Sequence, residues 1–398
     1  MIHSIVTAVQ IIAASGIVSS SAYYLLCLWS AAQFLHDKKT PAGARPQQFP
    51  NDLRSAPFLP PVSILKPLKG IDPEIYQSFR SHCLQEYPEY EIIFGVSDPD
   101  DPAVDSVRRL QGEFPEHRIE LVVSRKTLGA NVKVSNLMQM LPEARYDLVI
   151  VNDSDIRVAP DYLRRVTAPL ADPAMGLVTC LYRGVAAATL GSRLEALGIS
   201  TDFCAGVLAA RQLEGGIHFG LGSTLAFRRA DLQNAGGFAG FVDYLADDYE
   251  LGRRIASSGL AVELSDTVVE TYLPAYSMRE FLGHQLRWAR GIRDARAGGY
   301  YGLVFTFGLA WALLALGVSR GTAWAWAALA VTLALRLAVA GMAARVLRDR
   351  RVLNDLWLIP LRDLIAVLVW FASLSGNTVT WRGERFRLRQ GRLTRIPS

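Results

Sequence analysis

The chain has 398 residues, of which 51% are hydrophobic and 20% charged, with a net charge of +5 and an isoelectric point near 9.0. Soluble domains usually carry about 25% charged residues, so this composition is apolar, and the aromatic content of 10% excludes a disordered chain. The basic excess is local, because residues 345–398 contain eleven arginines, no lysine and four acids. Arginine beside apolar segments is typical of a cytoplasmic membrane face. Since no basic stripe crosses a predicted folded domain, we expect no nucleic-acid partner.

The N-terminal residues 1–36 are predicted to form a transmembrane anchor. Ile5–Leu35 contains no charged residue or histidine and exceeds the ~20 apolar residues that a bilayer crossing needs. No lysine or arginine precedes the run, and the run is longer than the core of a signal peptide, so we expect it to be retained. The Pro-rich linker at 37–60 carries basic residues that favour a cytoplasmic position for the domain after it: Lys38, Lys39, Arg45 and Arg54.

Residues 61–276 alternate short apolar runs with amphipathic segments. The runs predict strands covered on both faces: Val62–Leu65, Ile92–Val96, Leu121–Val123 and Leu148–Val151. The segments between them have the spacing of helices: Pro73–Glu86, Ala103–Phe114 and Val132–Met140. This alternation predicts a doubly wound, mostly parallel α/β sheet, whose ligand lies beyond the carboxyl ends of the strands.

The C-terminal third is predicted to return to the membrane. An interfacial helix at 277–298 precedes membrane segments at 299–375 and a basic tail at 376–398. Ala297–Ser319 and Thr322–Ala344 are long enough to cross a bilayer, although Arg336 interrupts the second run. Leu353–Ser375 carries three charged residues, so we expect a re-entrant or interfacial segment there and three crossings in all.

Two carboxylates follow the fourth predicted strand directly. Asp153 and Asp155 form a D-x-D pair at its carboxyl end. Oxygen ligands suit Mg²⁺ or Mn²⁺, and Mg²⁺ commonly combines one or two carboxylates with substrate phosphates. The pair therefore predicts a metal-diphosphate site, although an acidic surface turn would have the same sequence.

Other polar residues extend this chemistry. Asp98 follows the second strand and is a candidate for binding a base or ribose, or else a turn cap. Asp247 and Asp248 open a helix, where one is a candidate general base, or where both simply face the helix dipole. Arg287 and Trp288 are candidates for neutralising a departing diphosphate, or for a membrane-interface anchor. Together these features predict nucleotide-sugar transfer.

Six sequence blocks resemble the ceramide glucosyltransferase family (glycosyltransferase family 21), and the resemblance extends from about Pro61 to Arg389. The blocks are 61–73, 98–102, 129–137, 153–158, 247–249 and 380–389. The resemblance implies a GT-A-type fold with N-terminal and C-terminal transmembrane helices, and an inverting transfer from a UDP-sugar to a lipid hydroxyl. It also implies a multi-pass protein of the inner membrane with its catalytic domain in the cytoplasm.

The resemblance assigns roles residue by residue. Asp98 corresponds to the acid that contacts uridine, Asp153 and Asp155 to the metal-diphosphate element, and Asp248 to the catalytic base with Asp247 beside it. Five side chains on two segments are implied to bind the nucleotide sugar: Lys133, His284, Gln285, Arg287 and Trp288. The family motif (Q/R)-x-x-R-W has His284 at its first position here, with Gln285 one residue later, so we expect Gln285 to substitute for the usual residue.

The most specific prediction concerns the acceptor lipid. The D-S-D and H-Q-L-R-W forms resemble bacterial, hopanoid-associated glycosyltransferases, which implies a hopanoid polyol acceptor and UDP-N-acetylglucosamine or UDP-glucose as donor. Ceramide with UDP-glucose is the alternative, followed by a polyprenyl-phosphate or polysaccharide transferase. A transporter or receptor that uses Asp355, Arg362 and Asp363 as ion partners is a rival from another class, as is a catalytically inactive nucleotide-sugar sensor.

Overall fold

The computed structural model describes residues 2–37, 58–381 and 383–397. Most of the predicted linker, including Lys38, Lys39, Arg45 and Arg54, lies outside the described residues, as does Arg382 of the basic tail.

Strands occupy much of the central sequence. Within the described ranges they are β1 (Val62–Pro67), β2 (Tyr90–Val96), β3 (Arg118–Val123), β4 (Leu148–Val151), β5 (Ile156–Arg157), β6 (Met175–Val185), β7 (Leu225–Arg228), β8 (Ala261–Tyr272), β9 (Thr378–Trp381), β10 (Glu384–Arg389) and β11 (Arg392–Arg395). The four predicted strands correspond to β1–β4; β1–β3 are longer than predicted by two or three residues at one end, and β4 has the predicted bounds.

Helices lie between the strands and at both ends of the chain. The α-helices of the described part are α1 (Ile2–Asp37), α2 (Ile75–Cys83), α3 (Ala103–Glu113), α4 (Val132–Met140), α5 (Tyr162–Thr167), α6 (Leu190–Gly198), α7 (Cys204–Leu213), α8 (Arg229–Asn234), α9 (Asp247–Ser257), α10 (Met278–Ala295), α11 (Ala297–Gly302), α12 (Gly308–Val318), α13 (Ala323–Val346) and α14 (Ile359–Ser373). A π-helical turn, Ile199–Phe203, joins α6 to α7.

The chain divides into two compact units. The helical unit comprises Met1–Thr40, Ala188–Glu214 and Ala275–Arg382, and the sheet unit comprises Pro41–Ala187, Gly215–Pro274 and Gly383–Ser398. Residues 188–214 therefore group with the terminal helices, although they lie within the segment 61–276 that the sequence predicts as one domain. Their apolar helices α6 and α7 pack on other helices rather than on the sheet, as the burial of Leu194, Leu197 and Ala209 shows.

The sheet unit contains an eight-stranded mixed sheet in the order β3-β2-β1-β4-β7-β6-β8-β5. The first four strands are parallel, as predicted, and β6 is parallel to β8. Antiparallel pairing at β4–β7, β7–β6 and β5–β8 makes the sheet mixed. This is a GT-A-like fold with a mostly parallel sheet.

Both faces of the central strands are buried. Ile64 and Ile92 belong to one apolar cluster, and Leu65 and Ile93 belong to a second. Successive side chains of a strand point to opposite faces, so a strand covered on both faces needs consecutive apolar residues. The short apolar runs in the sequence follow directly from this requirement.

Among the described residues, three helices of the helical unit are long and apolar enough to cross a membrane: His3–Asp37, Ala323–Val346 and Arg351–Ser373. Ala297–Thr306 and Gly308–Val318 form a pair bent by 47°, which has the geometry of a broken span or a re-entrant loop. A span at 297–319 is compatible with the first geometry, and 351–373 is also long enough to cross, so the predicted division into three crossings and one re-entrant segment stays a prediction. Charged residues in the last helix have partners within the unit, which removes the main objection to a span there.

Ion pairs within the helical unit account for those charges. Arg336 is 3% exposed and hydrogen-bonds Asp363 at 2.9 Å and also contacts Asp202. Asp355 pairs with Arg193. An isolated charge among apolar helices is costly, and pairing reduces that cost. The residues that suggested a transporter are therefore ion-paired or hydrogen-bonded within the unit.

Candidate active site

Three parallel strands bring their carboxyl ends to one edge of the sheet. In the register, Leu65 of β1 lies opposite Val151 of β4, and Pro67 lies opposite Gly95 of β2. The residues after β2 and β4 therefore emerge at the same edge, which is where open α/β sheets bind ligands. Asp98 and Asp153 both follow strands that end there.

Lys133 connects two of the predicted site residues. Its Nζ lies 2.8 Å from Asp153 Oδ1 and 3.0 Å from Asp247 Oδ2. Asn131 fixes the start of α4, since its side chain accepts a hydrogen bond from the Val134 amide, and this places Lys133 in the first turn. Burial opposes the lysine charge, but the attraction of the neighbouring carboxylates outweighs it and raises the pKa of Lys133 above its usual value. Lys133 is therefore a fixed cation at this edge.

Gly222 allows two carboxylates to approach each other. A Cβ at this position would lie 2.9 Å from Asp153 Oδ2 and 3.2 Å from Asp248 Oδ2. The Gly222 amide donates to Asp248 Oδ2 at 2.7 Å, and the Tyr249 amide donates to Oδ1 at 2.8 Å. A side chain at Gly222 would occupy the space beside both carboxylates and displace at least one of them.

The two carboxylates at the start of α9 differ in their environments. Asp247 is 6% exposed and is held by Lys133 and by Asn131. Burial, followed by the negative charge of Asp247, raises the pKa of Asp248 to about 6, while Lys133 acts in the opposite direction. The pKa of Asp248 is therefore closer to that of a useful general base than the pKa of an ordinary aspartate is.

Asp155 lies deeper than Asp153. Thr271 of β8 donates a hydrogen bond to its Oδ2. Burial raises the pKa of Asp155 to about 6, and the negative charge of Asp153 adds to the shift. Two carboxylates that repel each other in this way are a favourable donor set for a hard cation.

Lys66 holds the backbone of the D-x-D segment, a role that the sequence analysis did not assign. It is fully buried, and its Nζ donates to the backbone carbonyl of Asp153 at 3.0 Å. Burial lowers the pKa of Lys66 to about 7, and the acidic side chains of Asp155 and Asp153 limit the shift. In the sequence, the signal for this role is that Lys66 directly continues a buried apolar strand.

Asp98 is exposed and accepts a hydrogen bond from the Asp100 amide at 3.0 Å. This is the turn-capping geometry named as its alternative role. Asp101 of the same block accepts from the Gly70 amide at 2.9 Å and joins the loops that follow β1 and β2. In residues 2–37, 58–381 and 383–397, no group of three or more His, Cys, Asp or Glu side chains is arranged to bind a metal.

The other predicted site residues lie in the helical unit, on α10. A capping box starts this helix, because Ser277 and Glu280 each accept from the other's backbone amide. His284 hydrogen-bonds Glu195 Oε1 through Nδ1 at 3.1 Å, and Gln285 donates to Oε2 of the same carboxylate at 2.8 Å. Both candidates for the first motif position are therefore bound to Glu195, which no sequence pattern indicated.

Trp288 packs beside the same network. Its ring centroid lies 5.6 Å from that of His284 and 6.0 Å from that of Phe203. Arg287 precedes it on α10 and is half-buried. Glu195 is 1% exposed; burial acts to raise its pKa, but the hydrogen bond and charge of His284, with Arg362, hold the pKa below its usual value. The motif helix is thus anchored by an ionised carboxylate.

Comparison with known proteins identifies the family. A model of "Glycosyl transferase family 21" matches residues 12–394. The chain belongs to glycosyl transferase family 21. It is therefore a glycosyltransferase, as the acidic residues at the sheet edge had predicted.

Several relatives carry a more specific description. The chain is 29% identical to ceramide glucosyltransferase 3 of Caenorhabditis elegans over 58% of this chain and 50% of the relative. It is 33% identical to a ceramide glucosyltransferase of Candida albicans over 26% of this chain and 21% of the relative. The chain thus spans about half the length of the nematode relative and about a fifth of the length of the Candida albicans relative.

A solved structure supports the fold. The mannosyltransferase PcManGT of Pyrobaculum calidifontis, solved in complex with GDP-Man and Mn²⁺, is 20% identical and superposes with a TM-score of 0.53 over 91% of this chain and 99% of that one. At this identity the likeness establishes the GT-A-like architecture, and the roles of individual residues rest on the geometry described above.

Proposed function

We propose that this chain transfers a sugar from a UDP-sugar to the hydroxyl of a membrane lipid, with inversion at the anomeric carbon. The observation that carries the proposal is the convergence of Asp153, Asp247 and Asp248 around Lys133 at the carboxyl edge of the sheet. A donor site and a base then lie side by side, as a direct displacement requires.

Asp248 is the proposed general base. Its carboxylate takes the proton of the acceptor hydroxyl as that oxygen bonds to the anomeric carbon, and the bond to the UDP oxygen breaks with the electron pair leaving on UDP. Asp247 is less suited to this role, because Lys133 lies 3.0 Å from it and Asn131 also holds it. An ionised carboxylate has about four acceptor positions, so Asp248 keeps capacity for the substrate beyond its two amide bonds.

Asp153 and Asp155 are the proposed ligands of Mg²⁺ or Mn²⁺, which when bound would neutralise charge on the diphosphate. Their oxygens are the ligands such ions prefer, and the repulsion that raises the pKa of Asp155 would be relieved by a cation. Lys66 and Thr271 hold the two residues from the protein side. Lys133 adds a fixed positive charge at the same place.

The remaining donor contacts are proposed from the family resemblance. Asp98 would accept hydrogen bonds from uridine, and Arg287 and Trp288 would orient the diphosphate. Glu195 would act as a positioning residue, since it holds His284 and Gln285 one turn before them. The helical unit would span the bacterial inner membrane and the sheet unit would lie in the cytoplasm.

The acceptor is proposed to be a hopanoid polyol, on the resemblance of the D-S-D and H-Q-L-R-W forms to bacterial enzymes. Ceramide is the second candidate, and the ceramide glucosyltransferases among the relatives favour it. Either lipid presents a hydroxyl at the membrane surface, so the proposed role of Asp248 is the same for both.

The base is tested by Asp248→Asn in the full chain in detergent. We expect transfer to fall by at least about 100-fold, the usual contribution of a general base, while UDP-sugar binding by calorimetry changes little. Asp105→Asn is the control, because that side chain is 90% exposed on α3. Loss of UDP-sugar binding in Asp248→Asn would assign the residue to the donor or to folding instead.

The acceptor is tested by lipid mass spectrometry. Membranes containing the chain receive Mn²⁺, bacteriohopanetetrol and ceramide together, with UDP-N-acetylglucosamine and UDP-glucose in separate reactions. A glycosylated hopanoid supports the first acceptor, and a glucosylated ceramide supports the second. If neither lipid gains a sugar while UDP-sugar is consumed in an Asp153-dependent reaction, both acceptors are wrong. If no donor is consumed, the transfer itself is refuted.

A further inference from the structure

The C-terminal hairpin β10–β11 belongs to the sheet unit and has a defined register. Arg389 lies opposite Arg392, Leu388 opposite Leu393 and Arg387 opposite Thr394. The two residues between the strands, Gln390 and Gly391, have φ values of 52° and 77°. Positive φ at both central positions is typical of a type I′ turn, which matches the natural twist of a hairpin. The basic tail is therefore an ordered element.

The pleat of the hairpin separates apolar from basic side chains. Phe386, Leu388 and Leu393 are 1–4% exposed. Since successive side chains of a strand alternate between faces, the residues between them point outward. Four exposed arginines form this outer surface, which we call the arginine face: Arg385, Arg387, Arg389 and Arg392.

The arginine face is poorly compensated within the protein. Among the described residues, Arg385, Arg387 and Arg389 make no ion pair. Glu384, the only acid of the hairpin strands, pairs with Arg395 at 2.8 Å. Arg389 and Arg392 are directly opposite each other, and like charges in that position destabilise a sheet. Bound anions would relieve this repulsion.

The hairpin is held firmly on the rest of the sheet unit. The Leu393 amide donates to the Asp243 carbonyl at 2.6 Å, and the Leu245 amide donates to the Gly391 carbonyl at 2.9 Å. The guanidinium of Arg392 lies 5.2 Å from the Tyr244 ring centroid. The outward arginines are therefore presented on a rigid support.

The position of the hairpin in the sequence points to the anion. Glu384 follows Ser373, the last residue of the final candidate span, by eleven positions. Basic residues within ~15–20 positions of a transmembrane end characterise the cytoplasmic side, where the leaflet is anionic. Guanidinium groups bind phosphate oxygens in bidentate geometry.

We propose that the arginine face docks on anionic phospholipid headgroups of the membrane in which the helical unit is embedded. The hairpin would then act as a membrane contact of the sheet unit in addition to the transmembrane helices. The proposal is argued from the hairpin alone and does not depend on the proposed transfer.

The test measures contact between the hairpin and lipid headgroups in the full chain. A Thr394→Cys variant accepts a fluorophore selectively, because the four native cysteines are buried, with exposures of 0–4%. Labelled protein is placed in nanodiscs of phosphatidylcholine alone or with 30% phosphatidylglycerol. Both contain the same density of a headgroup-labelled acceptor lipid, and energy transfer is measured as salt rises.

We expect more energy transfer in the anionic nanodiscs and loss of that difference in 0.5 M salt, because exposed charges are screened. Arg387→Gln with Arg389→Gln should lower the ratio of docked to undocked hairpin about 25-fold, since each arginine near an anionic surface contributes roughly fivefold. Arg387→Lys with Arg389→Lys, which keeps the charge, should retain docking.

The matched control, Arg108→Gln with Arg125→Gln, removes two exposed arginines from elsewhere in the sheet unit and should leave docking unchanged. Equal energy transfer in neutral and anionic nanodiscs would overturn the proposal. An equal loss in the control, or a loss in the lysine variant as large as in the glutamine variant, would overturn it as well.

Discussion

Replacing Lys133 by methionine tests whether this side chain sets the protonation of the candidate base. In the native protein Lys133 lowers the pKa of Asp248, which burial and Asp247 together raise to about 6. Without the cation the pKa of Asp248 should rise further. A base must be deprotonated to act, so transfer should fail as pH falls through this pKa, and the loss should begin at higher pH in the variant.

The size of the shift follows from the distances at Gly222. Lys133 Nζ lies 3.7 Å, and Asp248 Oδ2 3.2 Å, from the position that a Cβ on Gly222 would take. The two atoms are therefore no more than about 7 Å apart, where unit charges at an effective dielectric constant of ~20 interact by roughly 2 kcal/mol. Since one pKa unit corresponds to about 1.4 kcal/mol, we expect the pKa of Asp248 to rise by one to two units.

The assay is the pH profile of kcat/KM between pH 5 and 9, measured with the full chain in detergent. The lower limb should move from near pH 6 to between pH 7 and 8 in Lys133→Met, whereas Lys133→Arg should keep the native limb. Lys126→Met, at an exposed position just before α4, is the control. A variant that loses activity equally at every pH would refute the electrostatic role of Lys133, leaving only a contact role.

Further variants probe the packing around the site and within the helical unit. Gly222→Ala should reduce transfer by at least about tenfold, because its Cβ would meet two carboxylates at 2.9 and 3.2 Å. Gly112→Ala in α3 has open space around it, so this control should retain activity and stabilise the protein by about 0.5–1 kcal/mol. Steady-state rates and thermal unfolding distinguish these effects. Arg336→Met should destabilise by at most about 3–5 kcal/mol, because it removes the buried cation that pairs with Asp363 and Asp202, whose side chains are 15% and 38% exposed. Adding Asp363→Asn should recover part of the loss, and unchanged thermal unfolding of the single variant would contradict the importance of this ion pair. Glu195→Ala should raise the KM for the donor, and Glu195→Gln should raise it less. If the KM for the donor is the same in both variants, the carboxylate does not position α10.

The central strands and the acidic segments could be predicted because their causes are local. Consecutive apolar residues such as Ile64 and Leu65 are needed by a strand buried on both faces, so the parallel half of the sheet is encoded in short runs. An acidic pair such as Asp153 and Asp155 directly after such a run lies at the carboxyl edge wherever the strand is placed. The family blocks added the pairing of these residues with Asp248.

Other features depend on partners distant in sequence. Glu195 carries no pattern of its own, and its importance arises only because α6 packs on α10, where His284 and Gln285 meet its carboxylate. The assignment of crossings also depends on such partners. Charges in residues 351–373 argued against a span, yet Asp363 is paired with Arg336 of another helix, and sequence hydropathy counts each charge as if it were unpaired.

The sequence by itself determined the class of fold, the family and the acidic residues at the sheet edge, because apolar periodicity and short motifs are properties of neighbouring residues. Only the tertiary structure decided which carboxylate is held by Lys133, that Gly222 leaves space for two carboxylates, and that the end of the chain forms a hairpin with one charged face. These facts depend on distances between residues far apart in the chain, and such distances are fixed only when the core is packed.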